Sequence, residues 1–465
     1  MRIPLLASLI LVAAPCQQAL AGDHPQAEAQ VLELAKQSIA IRSVRGEGNQ
    51  TAAVAELFRD ALIAGGWKQS DINIEPLDDT AFLIATWPGS DPSLGPIVLS
   101  AHMDVVEAKP EDWERDPFTP IIENGYLFGR GASDTKFDAA LALASMVELR
   151  RQGFKPKRSI VIAYSGDEET TMATSKVIAD RLRNAKVVLN VDGASGSLDE
   201  ETSKPIFWSW QGAEKTYVDF QLEVTNPGGH SSAPRDDNAI AQLSGALARI
   251  AAYRFKPEVN DITREFFAKA AEFESDPKKA DAMRAFAADP ADGAAIAVLR
   301  ADPYSVGKIE TTCVPTMVNG GHAENALPQR ATAIVNCRIF PGHSLAEVMA
   351  ELEAVADTPE VTFSNFTGDM SIEAPASPND TALVAAFEKA LFAAWGKMPV
   401  IPMQSSGASD SMWYRAIGVP SYGASGTFLK DSDDFSHGLN ERVSLSNIEP
   451  GVVYYTALLR DLAAK

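Results

Sequence analysis

Three short runs of aliphatic and β-branched residues, at 96–101, 159–164 and 186–191, are each followed at once by acidic or imidazole side chains. A contiguous apolar run of this length, without polar alternation, suits a strand covered on both faces, as strands of a parallel sheet are. Between the runs lie helix-like stretches. The stretch at 136–153 is Ala-rich, carries apolar residues at three- and four-residue spacing and closes on Gly153; another spans 170–183. Strand and helix in alternation predict an α/β layer, a mostly parallel sheet flanked by helices. The polar clusters, His102 with Asp104, then Asp167 with Glu168 and Glu169, then Asp192, stand just past the strands' carboxyl ends. Open α/β sheets bind ligands there, so the three clusters are predicted to converge on one crevice.

The texture changes near Lys215. An alternating strand at 217–224, a Gly-rich turn at 226–229, helices at 238–253 and within 256–300, a strand at 331–340 and a helix at 345–356 read as a second, α+β unit. Helices at 380–395 and 447–462 return to the first layer. The expected organisation is a signal peptide at 1–21, a catalytic unit split into 22–214 and 373–465, and an inserted lid or dimerisation-type unit at 215–372. Arg2, the apolar run 5–14 and Ala19-Leu20-Ala21 form the export signal, cleaved after Ala21, so the mature chain is expected in the periplasm or outside the cell. That run is about half the ~20 residues a membrane span needs, and no later segment is expected to cross. Cys313 and Cys337 remain after cleavage; a disulfide and two buried thiols both stay open. The net charge of −21, with no long basic run, argues against a nucleic-acid partner, because neutralising phosphates needs clustered Lys and Arg.

Singly, His102, Asp134, Glu168, Glu169, Asp192 and His437 are ordinary. Together, the two imidazoles and three of these four carboxylates make a nitrogen and oxygen ligand set suited to a pair of divalent cations, with zinc the usual choice in hydrolases. Adjacent glutamates diverge at a strand end, so one of Glu168 and Glu169 is expected to bind metal while the other moves a proton.

The segments Ser100-Ala101-His102-Met103-Asp104, Gly129-Arg130-Gly131-Ala132-Ser133-Asp134-Thr135-Lys136 and Ser165-Gly166-Asp167-Glu168-Glu169-Thr170 resemble, in order and spacing, the metal motifs of the aminoacylase/glutamate carboxypeptidase family of dinuclear zinc peptidases. The resemblance continues through Asn226-Pro227-Gly228-Gly229-His230-Ser231-Ser232, Asn325-Ala326-Leu327-Pro328 and Arg338 to Ser436-His437-Gly438-Leu439-Asn440-Glu441-Arg442, and covers nearly the whole mature chain. Thr311-Thr312, Gly320-Gly321 and the stretch around Arg338 are most similar to the Gly-Xaa carboxypeptidase and N-acyl-amino-acid hydrolase branch.

The resemblance implies two divalent ions, zinc before cobalt or manganese. His102 and Asp192 would bind one, Glu169 and His437 the other, and Asp134 both. Asp104 would accept the far N–H of His102. Glu168 would be the general base, and His230 an oxyanion donor arriving from the inserted unit or from the partner of a homodimer, which is left open. Arg338 and Asn325 would grip a substrate carboxylate, with Gly407 and Ser409 in a Gly-rich substrate loop. The implied activity is hydrolysis, by a hydroxide bridging the metals, of an amide next to a free carboxylate, in a small peptide or an N-acyl amino acid. An aminoacylase is the alternative, and a two-domain periplasmic binding protein without catalysis the remote one.

Overall fold

The computed structural model describes residues 24–465. The export signal expected at 1–21 lies outside them. Its main layer is a ten-stranded sheet. At its centre four strands run parallel in the order Ile160–Ser165, Ile97–His102, Val187–Asn190, Ser421–Gly423. Every residue of the first three is buried, which explains their unbroken apolar sequence. On one side the hairpin Ile72–Leu77 and Thr80–Trp87 extends the sheet antiparallel. On the other, Pro205–Glu214 pairs with Gly196–Leu198 and, in parallel, with Val400–Ser405.

The helix Lys136–Arg151 lies buried along almost its whole length between this sheet and the outer helices Pro25–Ile39 and Ile448–Ala463. Its run of alanines and the absence of a side chain at Gly451 allow that approach. A Cβ on Gly451 would fall 2.5 Å from Leu141 Cδ2, closer than packed interiors tolerate.

A second, four-stranded antiparallel sheet has the order Thr312–Gly320, Arg330–Ile339, Thr216–Thr225, Thr362–Asn365. The strand Thr216–Thr225 alternates buried and half-buried positions, and Val218, Phe220, Leu222 and Val224 pack into a core with Leu243 and Ile250 of helix Ala239–Ala252 and Leu352 of helix Leu345–Ala356. Cys313 and Cys337 face each other across neighbouring strands as a disulfide, closing the question left open by the sequence. The four helices between Asp261 and Ile309 form their own small core, yet they dock on the large sheet. Ile262 enters the main core, Lys269 Nζ donates to the Val400 carbonyl (3.1 Å) and Asn260 Nδ2 to Gln404 Oε1 (2.7 Å). Among the described residues no helix is long and apolar enough to cross a membrane.

Candidate metal centre and active site

The parallel strands deliver their polar ends to one place. His102 is the last residue of its strand, Glu168 and Glu169 follow Ser165, Asp192 follows Asn190, and Asp134 stands just before helix Lys136–Arg151. His437 comes from the loop after the 3-10 turn Asp431–Asp433. His102 Nε2 lies 2.8 Å from Asp134 Oδ1 and 3.7 Å from Asp192 Oδ1. His437 Nε2 lies 3.2 Å from Asp134 Oδ2 and 2.9 Å from Glu169 Oε2. Asp134 therefore offers one oxygen to each imidazole. Two groups have ligand-type atoms within 4.8 Å of one another, His102 with Glu168 and Asp192, and His102 with Asp134 and Glu169. The adjacent glutamates thus diverge into separate groups.

The charge balance of this cluster is that of a cation site. Among the described residues no Lys or Arg forms an ion pair with Asp134, Glu168, Glu169 or Asp192; the only cationic partners are the two imidazoles. Burial pushes Asp192 up to about 7 and Glu168 well above the usual carboxylate range. Burial opposes charge on His102, but Asp192, Asp104 and Asp134 outweigh it and hold the imidazole well above its ordinary value. Hydrogen bonds from its ring to the carboxylates of Asp134 and Glu169 raise His437 to about 10. Four carboxylates against two imidazoles, with His102 and Glu168 buried and Asp134, Glu169 and Asp192 half-buried, call for added positive charge, and their donor atoms are those that zinc-type ions take.

Residues behind the cluster fix its shape. The Nδ1 of His102 meets the backbone carbonyl of Asp104 at 3.0 Å, while the nearest Asp104 carboxylate oxygen is 3.6 Å away. The Asp104 carboxylate also accepts the backbone N–H groups of Glu168 and Glu169, one on each oxygen, both at 3.1 Å. Glu441, fully buried, accepts from the backbone N–H of Gly131, Ser133 and Asp134 and from Arg130 Nη1 (2.7 Å). Arg130 Nη2 also donates to the Gly438 carbonyl (3.2 Å). Arg130 and Glu441 thus tie the loop carrying Asp134 to the loop carrying His437. Sequence reasoning missed this role although both lie inside quoted motifs: their side chains act on backbone, for which a residue pattern carries no signal. Asp167 caps the helix Ala173–Arg181 and takes no part in the cluster.

A cavity of about 750 Å³ opens on the cluster and is lined by Asp134, Glu168, Glu169, Asp192, His437 and Gly407. The remaining expected residues lie elsewhere. The Ser409 hydroxyl is buried, donating to Glu214 Oε1 (2.5 Å) and accepting from Asn190 Nδ2 (3.1 Å). His230 is exposed on the two-residue strand Gly229–His230, where its Nδ1 accepts from the Ser232 N–H (3.1 Å). Asn325 is exposed next to it, and its carbonyl accepts from the Ser231 N–H. Arg338, on the small sheet, stacks over Tyr217 (4.6 Å) and donates from Nη1 to the Ser406 carbonyl (3.2 Å), at the edge of the loop that carries Gly407.

Residues 98–461 match Peptidase family M20/M25/M40. The chain is 30% identical to an N-fatty-acyl-amino acid synthase/hydrolase from Xenopus tropicalis, over 80% of this chain and 73% of that protein. It is 26% identical to aminoacylase-1 from Sus scrofa, over 95% and 96% of the two chains. Among solved structures it resembles an M20 family metallo-carboxypeptidase from Sulfolobus solfataricus, with a TM-score of 0.70, 18% identity and coverage of 93% and 98%.

Proposed function

Because the chain belongs to peptidase family M20/M25/M40, a family of metallohydrolases, we propose that it hydrolyses an amide bond adjacent to a free carboxylate. The substrate is a dipeptide, a peptide C-terminus or an N-acyl amino acid. The names of the relatives, an N-fatty-acyl-amino acid synthase/hydrolase and aminoacylase-1, favour the N-acyl amino acids. The observation that carries the reading is Asp134, whose two oxygens face the two imidazoles.

In this reading His102 and Asp192 would hold one divalent ion, Glu169 and His437 would hold a second, and Asp134 would serve both, with zinc the first choice. Bound there, such ions lower the pKa of water and polarise the scissile carbonyl. Glu168 takes the proton of the attacking water on its carboxylate and returns it to the departing amide nitrogen. Three features support this role: the Glu168 carboxyl lines the cavity, burial raises its pKa, and among the described residues no side chain hydrogen-bonds it. Arg338 grips the substrate carboxylate with its planar guanidinium, starting from its contact with Ser406, and Asn325 assists. His230 reaches the carbonyl oxygen through movement of the small sheet or from a second subunit. An export signal ending at Ala21 places the mature chain in the periplasm or outside the cell, in keeping with the Cys313–Cys337 disulfide.

The test pairs two variants. Glu168→Ala is expected to keep its metal and lose about a thousandfold in turnover, whereas Asp134→Ala loses metal. Equal metal loss in both, measured by elemental analysis, would overturn the division of roles.

A further inference from the structure

The chain passes from the large sheet to the small one at two charged residues that are both buried, Glu214 and Lys215. Glu214 ends the strand Pro205–Glu214, and the strand Thr216–Thr225 begins two residues later. The loop that carries Gly407 on the cavity wall is fastened to this pair at both ends. The Ser405 carbonyl accepts the Lys215 N–H (3.1 Å), and the Ser409 hydroxyl donates to Glu214 Oε1 (2.5 Å). Glu214 also accepts from Gln211 Nε2 (2.7 Å) and, on its other oxygen, from Arg415, in an ion pair whose two side chains are each 1% exposed. Protonating Glu214 would leave that buried guanidinium unpaired, which is costly, so the carboxylate is the ionised form.

The direction of the hydrogen bonds beyond Ser409 follows from the charge of Glu214. An ionised carboxylate only accepts, and a serine hydroxyl has a single proton to give. With that proton spent on Glu214, Ser409 Oγ meets its other neighbour as an acceptor. Asn190 Nδ2 donates to it (3.1 Å) and to Ser411 Oγ (3.2 Å). The amide of Asn190 is thereby oriented, and its Oδ1 accepts the backbone N–H of Asp192 (3.1 Å). Turned the other way, Asn190 would set an NH2 group against that N–H. A chain of one sense, Glu214–Ser409–Asn190–Asp192, therefore runs from the crossing between the sheets to the metal cluster, and its first three side chains are buried. Hydrogen bonds linked in this way in a buried setting reinforce one another.

We propose that Glu214 is a positioning residue for two parts of the site at once, the loop carrying Gly407 and the metal-facing Asp192, acting through the sense of the Ser409 and Asn190 hydrogen bonds. Its catalytic consequence rests on the hydrolase reading above; its effect on metal binding is read separately. Glu214→Gln keeps the size of the side chain and replaces one oxygen by an NH2 group. With the remaining oxygen kept by Arg415, that group faces Ser409 and reverses the chain. Titration of the metal-free protein with cobalt, followed by visible absorption, is expected to show one of the two ions bound about tenfold more weakly than in wild type and with an altered spectrum, the other unchanged. On a cleaved dipeptide or N-acyl amino acid, kcat is expected to fall by about tenfold and KM to rise with the shifted loop. Ser409→Ala spares the Glu214–Arg415 pair and leaves Ser411 as an acceptor for Asn190, so it is expected to weaken the same ion by about threefold; it carries the test if Glu214→Gln does not fold. The double variant is expected to lose no more than Glu214→Gln alone, because both changes act on one chain. Wild-type cobalt binding in either single variant, equal weakening of both ions, or losses that add in the double variant would overturn the proposal. If the wild-type enzyme cleaves neither dipeptides nor N-acyl amino acids, the hydrolase reading falls, while the cobalt titration still decides the role of Glu214.

Discussion

Asp104 shows how one carboxylate can organise two others. Each of its oxygens accepts one of two consecutive backbone N–H groups, so the chain at Glu168 and Glu169 is pinned where their side chains part. The clustered residues themselves were legible in the sequence because donor type and position after a strand both mark them. The partner of Asp104 was not, since a pattern of residue types says nothing about which backbone groups a carboxylate will meet. Lys215, at the join between the two sheets, was equally hidden. It is buried, its Nζ donates to the Glu310 carbonyl (2.8 Å) and Thr312 Oγ1 (3.1 Å), and burial, helped by the charge of Arg338, lowers it to about 7. An unfolded lysine titrates near ~10.4, so between about pH 7 and pH 10 the unfolded chain binds the extra proton and this site's contribution to stability rises with pH. Below about pH 7 the cost of burying Lys215 is felt in full. Lys215→Met should therefore gain most over wild type near neutral pH, with the difference in denaturation midpoint shrinking toward about pH 10. A difference that does not change with pH would mean that Lys215 stays charged in the fold.

The three buried strands were readable because full burial on both faces leaves a contiguous apolar signature. The strands Pro205–Glu214 and Val400–Ser405 were not read, for their sequences mix Trp, Gln, Ser and Pro; neither was Thr312–Gly320, an edge strand with most of its side chains exposed. The two loops at the metal cluster depend on each other through the Arg130–Glu441 pair, whose side chains are 4% and 0% exposed. Removing Glu441 strands the buried charge of Arg130 and three backbone N–H groups. Glu441→Ala is expected to cost about 3–5 kcal/mol of stability and to weaken metal binding, because Asp134 and His437 lose their common anchor. Chemical denaturation and metal titration check the two effects separately; undiminished metal affinity would show that the loops hold their places without the pair.

Across the whole molecule the two sheets differ in what they carry. Every clustered carboxylate and imidazole belongs to the large layer, whereas the disulfide lies wholly within the small one. Replacing Cys313 and Cys337 by serine should cost about 2–4 kcal/mol while metal content stays at the wild-type level; parallel loss of metal would show that the two layers are coupled more tightly than their contacts suggest. The helices between Asp261 and Ile309 have a practical consequence for anyone seeking a minimal, lidless enzyme. Cutting out everything from 215 to 372 would take away the helix that covers Val400–Ser405 and remove Ile262 from the main core. A viable deletion must keep 256–310 and excise the flanking pieces around it, with the retained helices rejoined to the large sheet by new linkers. As a genetic cassette, the small sheet is two inserts with a segment of their host between them.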